Sequence, residues 1–196
     1  VAVRLISGGL SSAAEAAVFS GANTLAIGDG TSDHWEVIQF ATATLEDTRT
    51  YRLTRLLRGQ SGSDAEMPDV WPTGSMVVML DGTPEQITIP TASRGLPRHY
   101  RFGPVKRPVT DKSFRHRLLT FKGNGYRPYR PVSLRAVPNA GGFDISWIRR
   151  TRIDGDLWGS TDVPLGESEE LYQVQIRQGA SILREETRTT SNWTYA

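Results

Sequence analysis

The chain has 196 residues, a net charge of +2 and 38 % apolar residues. Setting Tyr aside and counting Gly brings the apolar share to about 45 %, enough to build a core, which excludes wholesale disorder. The absence of Cys excludes a disulfide scaffold, thiolate-held zinc and thiol catalysis, and the longest apolar run, Met76 to Leu80, is far shorter than the roughly 20 residues of a membrane-spanning helix. The start carries neither Met nor a basic-then-apolar leader, so Val1 is expected to be a fragment boundary.

Charge is distributed unevenly. Residues 1–93 hold five basic and eleven acidic side chains, residues 94–135 hold twelve basic and only Asp111 acidic, and residues 136–196 hold six basic and nine acidic. Twenty of the 23 cations are Arg, whose planar guanidinium suits stacked and bidentate contacts better than a hydrated ammonium.

In chain order, Ser12-Ala13-Ala14-Glu15 reads as a capping box opening a short helix through Phe19, with Gly21 as its left-handed terminator. Trp35–Phe40 and Tyr51–Leu57 read as strands, rich in aromatic and β-compatible residues. Residues 75–80, apolar almost throughout, predict a buried strand, with Asp81-Gly82-Thr83-Pro84 as a turn and 85–89 as its hairpin partner. His99–Phe102 and Phe114–Phe121 are strand-like but interrupted by Pro97, Pro104 and Pro108, which places them at an edge or in a connector.

Glycines 123 and 125 followed by two X-Pro steps mark a linker over 123–131. It separates a mixed β domain, 1–122, whose residues 94–122 are basic connector strands, from a short β domain over 132–196. In the second domain, Val132–Val137, Phe143–Arg149, a period-2 strand over Leu171–Arg177, Ser181–Thr187 and Trp193–Tyr195 predict five strands. The alternation puts Tyr172, Val174 and Ile176 on one face. The expected class is all-β: a mixed β domain with one short helix, then a sandwich.

Pro131-Val132-Ser133-Leu134-Arg135-Ala136, a Trp in the second strand, and Leu171 to Ile176 together resemble the opening of a fibronectin type III domain, truncated after about five of its seven strands. An open edge follows from that truncation, to be covered by further chain or by another subunit. Residues 51–64, YRLTRLLRGQSGSD, resemble the L-x-R-L-L-R-G-x-x-G-T-[DE] segment of large tail-tip proteins from siphophages and gene transfer agents, with Ser63 standing where the family has Thr. Trp147 to Asp156, Val163 to Glu167 and Arg94 to Arg101 resemble further segments of the same proteins in collinear order. The resemblance implies the C-terminal part of a baseplate hub of host-specificity type. It further implies a homotrimer in the tail tip of a virion-like particle, assembled in the bacterial cytoplasm and then released. Its partners would be other tail and baseplate proteins, copies of itself, and a host-surface glycan or protein.

No residues stand out for catalysis and no cofactor is implied. Gly59-Gln60-Ser61-Gly62-Ser63 falls one residue short of a nucleophile elbow and reads as a turn. His34, His99 and His116 lack ligand spacing, although His99 and His116 lie in neighbouring strands, where a metal pair would need them. Asp154, Asp156, Asp162 and Glu167 offer oxygen ligands for calcium without an EF-hand pattern, and the plainer reading is a solvated acidic loop. The basic stretch 94–135 interleaves Arg with aromatics in the manner of a single-strand nucleic-acid platform, provided the aromatics share one exposed face. The competing expectation is electrostatic docking onto the acidic flanks, with no sequence-specific nucleic acid and no membrane insertion. Arg149, Arg150 and Arg152 beside Trp158 are the candidate partner contacts. A second functional class stays open: an accessory sandwich of a secreted polysaccharide-degrading enzyme, which would need a pair of carboxylates flanking a sugar cleft.

Overall fold

The alternation of apolar and polar residues between 24 and 60 produces the longest strands of the protein and organises everything before residue 80. The computed structural model describes residues 1–82, 84–155, 159 and 162–196. The chain divides into two compact units, Val1–Tyr126 and Arg127–Ala196. Both are built from antiparallel strands, so the protein is all-β.

The first unit centres on a sheet of β1 (Ala2–Arg4), β2 (Thr24–Gly28), β3 (Trp35–Asp47), β4 (Thr50–Gln60) and β5 (Met76–Met79) in the order β1-β4-β3-β2-β5. Val3, Leu25, Ile27, Ile38, Phe40 and Leu53 form its core, with Leu10, Trp71, Val77 and Met79 packed against them. Over residues 38–41, β3 is buried on both faces. Ile38 and Phe40 point into the core, whereas Gln39 and Ala41 point toward the helix α1 (Glu15–Phe19), which buries Val18.

The helix ends as expected: Gly21 is left-handed, its N–H reaches Val18 O at 3.0 Å, and Ala22 N–H reaches Ala17 O at 2.9 Å, a Schellman closure. Gln39 Nε2 adds a donor to Val18 O at 2.6 Å and to Ala22 O at 3.0 Å. The expected capping box does not form. The cap position is Ala14, without a side-chain bond, because Ser12 lies along β3, where its Oγ accepts the Ala43 N–H at 3.0 Å. Ala13 N–H likewise donates to Ala41 O at 2.8 Å. Glu15 instead pairs with Arg55.

The run 75–80 is a strand, but not a buried one. β5 pairs only with β2, placing Val77 and Met79 opposite Ile27 and Leu25 on the core side. Met76 and Val78 face outward, 57 % and 41 % exposed. Both faces of this edge strand are apolar, so composition concealed the alternation. Residues 85–89 form no strand; β5 already has β2 as its partner. The turn residue Thr83 lies outside the described residues. The Pro-interrupted stretch forms a two-stranded ribbon, β6 (Pro97–Phe102) and β7 (Arg115–Thr120). Pro97 occupies its first position, where a missing donor costs least.

In the second unit β8 (Val132–Asn139), β9 (Gly142–Ile148) and β12 (Asn192–Tyr195) form a sheet in the order β12-β9-β8, and β10 (Tyr172–Gln178) pairs with β11 (Ser181–Arg188). Ile145, Trp147 and Trp193 are buried against Tyr172, Val174 and Ile176, so the period-2 face read from the sequence is the face that packs. The Trp147 and Tyr172 rings meet edge to face at 5.1 Å. All eight residues of β8 are exposed.

Candidate functional site

The segment 51–64 acquires its shape at a β-bulge. Arg58 and Gly59 together oppose Ile38, between the pairs Val37↔Gln60 and Gln39↔Leu57, and Gly59 takes a left-handed φ of 62°. The bulge turns the Arg58 side chain and the Gly59 amide toward one acceptor, Glu36, the second residue of β3, which is fully buried. Its carboxylate receives Arg58 Nε at 3.0 Å, Arg58 Nη2 at 2.8 Å, Gly59 N at 3.0 Å and Trp71 Nε1 at 2.6 Å. Arg58 also donates to Pro68 O at 2.7 Å and Asp69 O at 3.2 Å. Four donors meet a buried charge, as burial of a carboxylate requires.

The chain then turns through Ser61 and Gly62, both left-handed, into a 3-10 helix over Ser63–Glu66. Ser63 Oγ accepts Val37 N–H at 2.8 Å and donates to Gln60 O at 2.6 Å, a role that a Thr hydroxyl fills equally. Gly59-Gln60-Ser61-Gly62-Ser63 is therefore a bulge-and-turn knot. Sequence reasoning missed Glu36, whose place inside a strand of alternating character was the only sign of its burial.

Two of the candidate contacts fold inward onto the loop at 162–170. Arg149 donates to Pro164 O at 3.0 Å, Val163 O at 2.7 Å and Asp162 at 2.9 Å. Arg152 forms a fork with Glu167 at 2.9 and 3.0 Å and reaches Gly166 O at 3.2 Å. The Arg149 bond and the Val163 amide hold the Asp162 carboxyl below the usual carboxylate range. Arg150 is exposed and lies over the Tyr129 ring at 4.7 Å. Trp158 and Asp156 lie outside the described residues. Beside Arg149, burial pushes the Tyr172 phenol up to about 12, helped by its 2.8 Å hydrogen bond to Glu170.

His99 and His116 are brought together: Nδ1 of one lies 2.8 Å from Nε2 of the other, with rings stacked at 5.0 Å. Among the described residues no group of three or more His, Asp or Glu side chains converges on a cation site. Asp29 forms an Asx turn with Thr31, at 2.8 Å from its N–H and 2.7 Å from its hydroxyl, and these bonds lower its carboxyl.

The basic ribbon is anchored to the first unit's loops. Lys122 pairs with Asp33 at 2.9 Å, lowering that carboxyl, and Arg94 stacks over Tyr126 at 5.7 Å. In the ribbon register Tyr100 stands opposite Arg117 and Phe102 opposite Arg115. Tyr100 and Phe102 lie nearly parallel, 9° apart with centroids at 6.2 Å, and Phe121 meets Tyr100 edge-on at 5.8 Å. Three of the six aromatics in the basic stretch thus share one face.

These features define an all-β protein with a knotted central sheet and a cationic ribbon. Residues 1–78 match the family model described as Rcc01698-like, C-terminal, a stretch that covers β1 to β4, nearly all of β5, and the whole Glu36–Arg58 knot. No curated protein matches the chain. No helix of the described residues is long and apolar enough to cross a membrane.

Proposed function

We propose that this chain is a structural component of a phage-like tail tip or baseplate, of the gene-transfer-agent hub type. In this reading it mediates subunit assembly and host-surface attachment by binding, without catalysis. The observation that carries the reading is the coincidence of two signals on one stretch. The family match over residues 1–78 contains the segment 51–64 that resembles tail-tip proteins, and the bulge, the buried carboxylate and the turn account physically for Arg58, Gly59, Gly62 and Ser63 in that segment.

The second unit supports the same reading. A three-stranded sheet and a hairpin are the arrangement of the first five strands of a seven-strand, two-sheet sandwich. Rigid sheets presenting loops suit attachment, and several copies around a tail axis would multiply weak contacts into avidity.

Cryo-electron microscopy of intact particles tests it: the chain should trace into threefold density at the tail tip. Density for this chain elsewhere in the particle, or particles that retain their tail tips when the gene is deleted, would overturn it. Light scattering of the purified chain should also give the mass of a trimer at sufficient concentration.

A further inference from the structure

We propose that one face of the β6–β7 ribbon is a binding platform for single-stranded nucleic acid, read without sequence preference. Side chains on a strand alternate, and directly paired residues share a face. The register therefore gathers Arg98, Tyr100 and Phe102 from β6 with Arg115, Arg117 and Leu119 from β7. The Arg side chains and Phe102 are exposed, while Tyr100 is half-buried and braced by Phe121. Two near-parallel rings flanked by guanidinium groups supply what a flexible polynucleotide needs, stacking surfaces for bases and forked donors for phosphates.

Charge argues for an external polyanion over the acidic flanks of the chain. Within 94–122 the single carboxylate is Asp111. It is bound by the Ser113 amide and hydroxyl at 2.9 and 2.8 Å, and it approaches Arg107 only at 3.9 Å. Two of the platform guanidiniums meet neutral groups instead: Arg98 donates to Ser93 Oγ and Arg117 to His116 O at 3.2 Å. Solvent-accessible carboxylates of the acidic flank in the same unit are already engaged, Glu15 by Arg55, Asp33 by Lys122 and Glu46 by Arg52. Docking the ribbon onto those carboxylates would break bonds that the fold already makes. A phosphate backbone brings its own charge and breaks none. Stacking favours nucleic acid over a merely charged polymer, because the aromatic rings are then part of the site.

The test uses the full chain and a fluorescently labelled oligothymidylate of about 20 nucleotides. Anisotropy should report binding that weakens with salt, with a slope of roughly −0.7 in log affinity per phosphate neutralised. Arg115→Ala and Arg117→Ala should each flatten that slope by about one such step. Phe102→Ala should leave the slope intact and weaken binding about 5-fold or more, the size of one lost stacking contact. These side chains are exposed, and an unchanged melting temperature in each variant confirms folding. Three outcomes overturn the proposal: no binding at 50 mM salt; equal competition by dextran sulfate with Phe102→Ala indistinguishable from the parent; or tighter binding of duplex than of single strand. None of them bears on the tail-tip reading, which rests on the sheet of residues 1–78.

Discussion

Glu36 on β3 and Arg58 on β4 join through two hydrogen bonds of 2.8 and 3.0 Å, with the carboxylate entirely enclosed and the guanidinium partly exposed. Removing one partner of such a pair leaves an uncompensated buried charge, which costs about 3–5 kcal/mol. Arg58→Ala should fall near the lower end of that range in urea unfolding of the full chain, because water reaches the guanidinium side. The double replacement Glu36→Leu with Arg58→Met should recover most of the loss. A single-variant loss below about 1 kcal/mol would show that the pair is not the support described here.

Two glycines separate backbone strain from steric clash. Gly74 has φ 93° with open space around a Cβ, whereas Gly59 has φ 62° and a Cβ there would sit 2.8 Å from Asp64 Cβ. Gly74→Ala should cost about 1 kcal/mol for the left-handed backbone alone. Gly59→Ala should cost at least about 1 kcal/mol more. Equal melting temperatures for the two variants would contradict the close packing of the knot.

Trp147 is 7 % exposed at the centre of the second unit. Trp147→Ala should destabilise residues 127–196 by about 3–5 kcal/mol, the range for emptying a buried aromatic site. Trp147→Phe should cost less, keeping the edge-to-face contact with Tyr172. Intrinsic fluorescence during denaturation distinguishes them.

High pH should loosen the same region. The Tyr172 phenol is raised from its ordinary 10 to about 12, with burial the main cause and the Glu170 bond adding to it. The folded form holds that proton more tightly than the unfolded form, so the contribution is full below pH 10 and is lost as pH rises toward 12. Absorbance titration near 295 nm should show a phenol ionising at about pH 12, and Tyr172→Phe should remove that step.

Arg149 and Arg152 act as two clamps on the loop at 162–170. Their alanine variants should change thermal stability little relative to Trp147→Ala. They should speed proteolytic nicking within that loop several-fold, as a freed surface segment allows. Unaltered cleavage in both variants would contradict the clamp.

A strand carrying periodic apolar residues was legible in the sequence, as β10 illustrates, and so was the closure of α1 at Gly21. Legibility failed where a partner distant in sequence decides the outcome. Ser12 and Glu15 have every local mark of a capping box, yet Ser12 is claimed by the β3 backbone at Ala43 and Glu15 by Arg55. β1 and β2 escaped notice because three to five residues carry too little periodicity, although Leu25 and Ile27 of β2 lie at the heart of the core. The cationic face was visible only as a composition, since a list of aromatics does not reveal which strand register aligns them. Arg149 and Arg152 stood out as exposed contacts because Arg near Trp invites that reading, and their loop partners lie some 15 residues downstream.

The sheet edges of the second unit have a consequence for anyone handling the protein. β8, β10, β11 and β12 each present an outer rim of backbone donors and acceptors with no neighbouring strand among the described residues, and apolar side chains such as Leu134 and Leu183 stand in water beside them. Such rims invite lateral adhesion. Dilution, crowding and additives that mimic an extended peptide should therefore alter how this half of the molecule behaves, and its melting point should climb with protein concentration.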